Sequence, residues 1–286
     1  MKKYLSILLL PFILSFLVLF PSKSIADGQK TYQIDYINMI KERGFLKVGI
    51  PPYVTKPFYS PNEKTGEFEG YDIRLINGFA EKLGVDVKFD ASSKNFNDTV
   101  YRAGKGDFDM AIGKLSTTYY RMKNAHPHEY MNFRHALLVD RKYIATIPNL
   151  SSSKFAEYLK KSDFKVGFIA NSSYESFANQ NLPNSRRYGY KNWGEVKTAL
   201  FNGDIDAIYR DATEIKKIIY QDPNLSIKYV PILINDIQDV KSIFLPTLAN
   251  NALTDILDFY LKDLEIKDDA QIMDELTSYY TSTKDS

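Results

Sequence analysis

The chain has 286 residues, 37 Lys+Arg against 35 Asp+Glu, and no cysteine. The missing thiols exclude a disulfide framework, thiolate metal sites, cysteine nucleophiles and lipid attachment at a processed cysteine. The balanced charge gives no electrostatic case for nucleic acid, and about 260 residues beyond the leader exceed what one core organises, so two lobes are expected.

The first residues are Lys2 and Lys3, then an apolar run from Tyr4 to Phe20, then small residues at Ser24 and Ala26. Charged, apolar and small segments in that order make a secretory signal, and the run, broken by Pro11, falls slightly short of the roughly 20 residues of a spanning helix. Cleavage after Ala26 is expected, with retention as an anchor the alternative. Losing Lys2, Lys3 and Lys23 leaves 34 basic residues against 35 acidic. A free periplasmic monomer is the expected product.

Leu46 to Ile50 reads as a buried strand, and Tyr71 to Leu83 as a helix with Ile73, Leu75, Ile76, Phe79, Ala80 and Leu83 on one face, stopped by Gly84. Val85 to Phe89 follows as a strand, Phe96 to Ala103 as a helix, and Phe108 to Ile112 as a strand. The pattern restarts after Arg141: Lys165 to Ile169 as strand, Ser173 to Gln180 and Trp193 to Phe201 as helices, Ile205 to Tyr209 as strand, and a helix from Ala212. Helical periodicity returns between Asn250 and Tyr280. Alternating strands and helices predict α/β units with mostly parallel sheets flanked by helices, and the missing low-complexity linker predicts two strand-like crossings between them, near Phe133 to Val139 and Tyr229 to Ile234.

Three strand-to-helix junctions carry candidate chemistry. After the strand ending at Ile112 come Ser116, Thr118 and Arg121, a hydroxyl and guanidinium set able to grip a carboxylate at the carboxyl end of a parallel strand; the alternative is that Thr118 caps a helix bearing a solvated Arg121. Ala170-Asn171-Ser172-Ser173-Tyr174 offers amides and hydroxyls at a helix N-terminus, again with plain capping by Ser172 as the alternative. Asp211 stands between a strand and a helix, as a cap or as an anion for a ligand ammonium.

The segment Leu46 to Asp72, with Pro57-Phe58 and Gly70-Tyr71-Asp72, then Gly106 to Asp109, Ser116 to Arg121, Gly203 to Ala207 and Asp211, resembles the bacterial extracellular solute-binding proteins of polar amino acid ABC transporters. The resemblance covers nearly all of the chain beyond the leader. It implies a two-lobed periplasmic binding protein fold, with lobe 1 formed by residues 27–136 and 233–286 and lobe 2 by 137–232, after a signal peptide at 1–26. It also implies capture of an amino acid between the lobes, delivery to an ABC permease in the inner membrane, and no cofactor. In such proteins the residue matching Arg121 holds the ligand α-carboxylate with help from Ser116, and the one matching Asp211 accepts the ammonium. Phe96 matches a position that packs on the ligand, with Tyr53 or Phe58 facing it, Phe58 also reading as core.

Lys114 and Arg210 depart from the family pattern. As two further cations they suit an acidic ligand, unless they point to solvent. His126 and His128 read as surface or hinge residues, zinc being conceivable with Glu129. Two other functions compete: a dehydratase of cyclic acids on the same scaffold, such as cyclohexadienyl dehydratase, with Glu175 or Glu129 as acid, and a ligand-sensing module.

Overall fold

The computed structural model describes residues 36–147, 154–248 and 251–264, with residues 271, 272 and 274. The leader reading, residues 27–35 and most of the sequence after residue 264 lie outside the described residues. Among those described, no helix is long and apolar enough to cross a membrane.

Helix α1 (Tyr36–Arg43) leads into β1 (Phe45–Gly49), and a small ribbon of β2 (Ser60–Pro61) and β3 (Phe68–Glu69) precedes α2 (Tyr71–Leu83). The face of α2 expected from its periodicity is buried, and Gly84 ends the helix at φ 72° in the left-handed region, its N–H returning to Ala80 and Glu81. Strand β4 (Asp86–Asp90), α3 (Phe96–Gly104), capped by the Asn95 side chain, and β5 (Met110–Ala111) follow. Strand β5 keeps only two of the five residues expected from Phe108 to Ile112. A short α4 (Tyr119–Met122) then leads into β6 (His126–Asp140), a strand of 15 residues.

After α5 (Arg141–Ala145) and α6 (Phe155–Lys161) the chain forms β7 (Lys165–Ile169), α7 (Ser173–Asn181), β8 (Arg186–Tyr190), α8 (Trp193–Asn202), β9 (Ala207–Asp211) and α9 (Ala212–Gln221). A 3-10 turn at Pro223–Ile227 precedes the 17-residue β10 (Tyr229–Leu245), and α10 (Asn251–Lys262) follows. Strand β8 escapes the periodicity reading because Arg186 to Gly189 are exposed, so it lacks the apolar alternation of a half-buried strand. Strand β9 begins two residues later than expected and runs on to Asp211.

One mixed sheet of eight strands results, ordered β4-β1-β5-β10-β6-β9-β7-β8. Strands β4, β1 and β5 are parallel at one end and β9, β7 and β8 at the other. The long antiparallel pair β6 and β10 joins them, each strand about 50 Å long at ~3.3 Å per residue. Both expected crossings lie inside this pair, and the sheet is continuous where separate sheets were expected because two strands run through both parallel trios. The pair breaks register between Ile234 and Gln238.

Candidate functional site

Three turns at the carboxyl ends of parallel strands supply the site: β9 hands over directly to a helix, β7 after a short turn and β5 through a longer loop. Residues after β5 pass through Lys114 and Ser116 to Thr118, whose hydroxyl accepts from Arg121 N at 3.3 Å and caps α4. Ser172, after β7, caps α7, and Asp211, the last residue of β9, caps α9 by accepting from Glu214 N at 3.1 Å. These turns and β10 enclose a cavity of about 20 Å³, room for about one water. Phe96, Lys114, Ser116 and Arg121 line it from the first half of the chain, and Ser172, Ser173, Tyr174, Arg210, Asp211 and Lys241 from the second.

Arg121 is 1% exposed. Its guanidinium donates to Ser116 O at 2.8 Å and to Asn97 Oδ1 at 3.1 Å, both neutral acceptors, and no carboxylate among the described residues lies within ion-pair distance of it. Burial pulls its pKa down to about 10, so it is still a cation at neutral pH. Across the cavity Asp211 is equally buried. Its Oδ1 accepts from Lys114 Nζ at 2.8 Å, while its Oδ2 receives no hydrogen bond and has only Arg210 Nε at 3.8 Å. A buried cation without an anion and a buried carboxylate oxygen without a donor are both costly unless a further group pairs them.

The sequence pattern of the bacterial extracellular solute-binding proteins, family 3, matches residues 46–270. The chain belongs to that family.

This solute-binding protein is 28% identical over 207 residues to a glutamine-binding protein of Geobacillus stearothermophilus, covering 69% of this chain and 74% of that one. It is 26% identical over 219 residues to an ABC transporter glutamine-binding protein of Bacillus subtilis, covering 74% and 75%. Two solved structures share its fold. One is an ancestral amino acid-binding protein described as a precursor of cyclohexadienyl dehydratase, with TM-score 0.64, 23% identity and coverage of 80% and 92%. The other is an arginine-bound amino acid ABC transporter substrate-binding protein of Streptococcus pneumoniae, with TM-score 0.63, 22% identity and coverage of 79% and 91%.

Of the expected site residues, Arg121, Ser116, Asp211, Ser172, Ser173, Phe96, Lys114 and Arg210 line the solute-binding protein's cavity, and Thr118 and Tyr53 are not among the lining side chains. Thr118 acts as a cap, and Tyr53 stacks on the ring of Phe96 at 4.6 Å. Phe58 is core, edge-on to Phe133 at 5.8 Å. Lys114 turns inward: with φ 54° its backbone is left-handed, and its Nζ also reaches Glu214 Oε1 at 3.2 Å and lies 4.4 Å from the Phe58 ring centre. Asn171, at φ 56°, adopts the left-handed turn that asparagine tolerates.

Several contributors were not anticipated. Lys241 Nζ donates to Ser116 Oγ at 2.8 Å and to Asp239, whose Oδ2 also accepts from the Tyr174 hydroxyl at 2.5 Å. Burial pushes the Asp239 carboxyl up, but the Lys241 ammonium, His135 and the hydrogen bonds from Lys241 and Tyr174 together outweigh it and hold the group at about 2. The alternation Asp239-x-Lys241, which puts two opposite charges on one face of a strand, was the available signal. Beneath the cavity, Asp72 accepts from the Tyr130 hydroxyl at 3.1 Å and from Lys114 N at 2.9 Å, and burial pushes its carboxyl up to about 7.

Neither acid considered for a dehydratase enters the cavity lining. Glu175 accepts from Asn171 N at 2.7 Å within its own turn, and Glu129 is exposed on β6. Of the histidines, His126 is exposed, but His128, expected at the surface or hinge, is buried beside Asp258 of α10, with Nδ1 2.6 Å from Oδ1. His135 is fully buried, 2.7 Å from the Tyr209 hydroxyl, and burial lowers its pKa.

Proposed function

We propose that this solute-binding protein captures a single amino acid between two lobes, residues 27–136 with 233–286 and residues 137–232. We further propose that it is exported by cleavage after Ala26 and works as a free periplasmic monomer that hands its ligand to an ABC permease of the inner membrane. The observation that carries the reading is a pair of unmet groups in one cavity: among the described residues the Arg121 guanidinium has no anion and Asp211 Oδ2 has no donor. A zwitterion satisfies both, its α-carboxylate at Arg121 and its ammonium at Asp211. The glutamine and arginine named for the relatives and neighbours carry the same two groups.

A cavity of about 20 Å³ is too small for any amino acid, so entry requires the walls to part. The contacts that would open are Ser173 Oγ to Ser116 Oγ at 2.8 Å, Lys114 to Asp211 and Glu214, and Lys217 Nζ to Lys56 O at 3.0 Å. The β6 and β10 pair, broken in register near Ile234, suits a hinge. Isothermal titration of the mature protein against the common L-amino acids tests this, alongside mass spectrometry of small molecules released on denaturation. At least one micromolar ligand is expected; silence across the whole panel, with no amino acid released, would overturn the proposal.

A further inference from the structure

Cations outnumber anions in this cavity. Lys114, Arg121, Arg210 and Lys241 line it, against the single carboxylate of Asp211. Two more carboxylates stand directly behind the lining: Glu214, 3.2 Å from Lys114 Nζ and also held by Lys217 Nζ at 3.1 Å, and Asp239, paired with Lys241. Asp72 touches none of these cationic heads; its partners are the Tyr130 hydroxyl and the backbone of Lys114.

The ion pairs share out unevenly. Among the described residues, Lys114 is held by two carboxylates and Lys241 by one, which leaves Arg121 with none and Arg210 with only the 3.8 Å approach to Asp211 Oδ2. Arg210 is also fixed in place: its guanidinium lies 4.9 Å from the Trp193 ring centre and its side chain is 11% exposed. A zwitterion brings no net charge, so it answers Arg121 and Asp211 and leaves Arg210 unanswered. A ligand with a cationic side chain would add to the excess, since no carboxylate of the lining is left to receive it.

We infer that the amino acid taken by this site is an acidic one, aspartate or glutamate, with its α-carboxylate on Arg121 and its side-chain carboxylate on Arg210. This inference rests on the solute-capture reading above and deepens it. Lys114 has a matching role: by occupying Asp211 Oδ1 and Glu214 it supplies internally the positive charge that a basic side chain would otherwise bring, which excludes arginine and lysine.

Titration calorimetry of the mature protein with L-glutamate, L-aspartate, L-glutamine, L-asparagine and L-arginine decides it, together with Arg210→Gln. The expected result is that one acidic amino acid binds at least 10-fold tighter than its amide and than arginine, and that Arg210→Gln reduces the acid-over-amide ratio to below 3-fold. Tighter or equal binding of glutamine, asparagine or arginine overturns the inference while leaving amino acid capture intact. Binding by none of the five overturns it and strips capture of its main support. A preference for the acid that survives Arg210→Gln unchanged overturns the role of Arg210.

Discussion

Replacing Arg121 by alanine removes a buried cation that has no anion within ion-pair distance among the described residues, so its effects on binding and on folding separate. For binding, truncating one partner of a buried charge pair costs about 3 kcal/mol, a factor of roughly 150 in Kd. At a ligand concentration of about 100 times the wild-type Kd, the wild type gains about 2.7 kcal/mol, which raises Tm by roughly 5–10 °C for a chain of this size. The same ligand concentration leaves the variant about 0.3 kcal/mol and a shift under about 1 °C. For folding, the change strands Ser116 O and Asn97 Oδ1, each worth about 1 kcal/mol, but also relieves a desolvated charge, so the ligand-free Tm should stay within roughly 5 °C of wild type. Differential scanning fluorimetry with and without ligand reads both quantities. A variant that keeps the full ligand-induced shift would refute the assignment of Arg121 to the ligand carboxylate.

Lys114→Met should cost about 3–5 kcal/mol of stability, because it strands Asp211 and half-strands Glu214 in a buried setting; a urea midpoint within error of wild type would show that the ion pair contributes nothing. Asp239 and Glu214 are held below the ordinary carboxylate range in the folded state, so their contribution is present above about pH 4 and disappears as pH falls through their folded values. Asp72 acts with the opposite sign: raised by burial to about 7, it favours folding most below about pH 4 and withdraws on the order of 2–4 kcal/mol as pH climbs to 7. Urea unfolding between pH 4 and 8 should therefore show a decline that Asp72→Asn abolishes; an identical decline in the variant would acquit Asp72. Gly104→Ala should destabilise by at least roughly 1–3 kcal/mol, because its Cβ would stand 1.7 Å from the backbone oxygen of Asn124, and an unchanged thermal midpoint would contradict that packing.

Periodicity located the helices well where one face is buried and a terminator is written into the chain. Helix α2 shows this, with its buried stripe and Gly84, and so does α8, ended by Gly203 at φ 81°. It failed where burial does not alternate: at the exposed edge strand β8, and at the shrunken β5, whose Phe108 serves packing rather than pairing. In the site, the residues written next to strand-to-helix junctions were legible, because the junction itself gives them an address. Lys241 and Asp239 were not, since they sit within the long β10, and Lys241 reaches the cavity through an antiparallel bridge that sets it against Ser116, far away in sequence. The Asp239-x-Lys241 alternation marks two charges on one face of the strand, but long-range pairing leaves no local mark of what that face meets.

The alternatives posed for Asp211, local cap or ligand contact, are not exclusive in this fold, whereas the Ser172 hydroxyl is taken up by its cap, and the reason is geometric. A parallel strand that passes straight into a helix places the cap residue at the sheet's carboxyl end and at the helix N-terminus, which is where a cavity between such ends must be lined. A carboxylate has two oxygens, so Asp211, which lines the cavity, can give Oδ1 to Glu214 N and Lys114 and keep Oδ2 without a hydrogen bond. A single hydroxyl has less capacity: Ser172 Oγ donates to Ile169 O at 2.6 Å and accepts from Tyr174 N at 3.2 Å, so its side chain is already engaged as a cap. The spare hydrogen-bonding capacity at these junctions therefore concentrates in the residue types with further polar atoms, Asp211 and Arg121, and it is there that substitution should separate binding from folding.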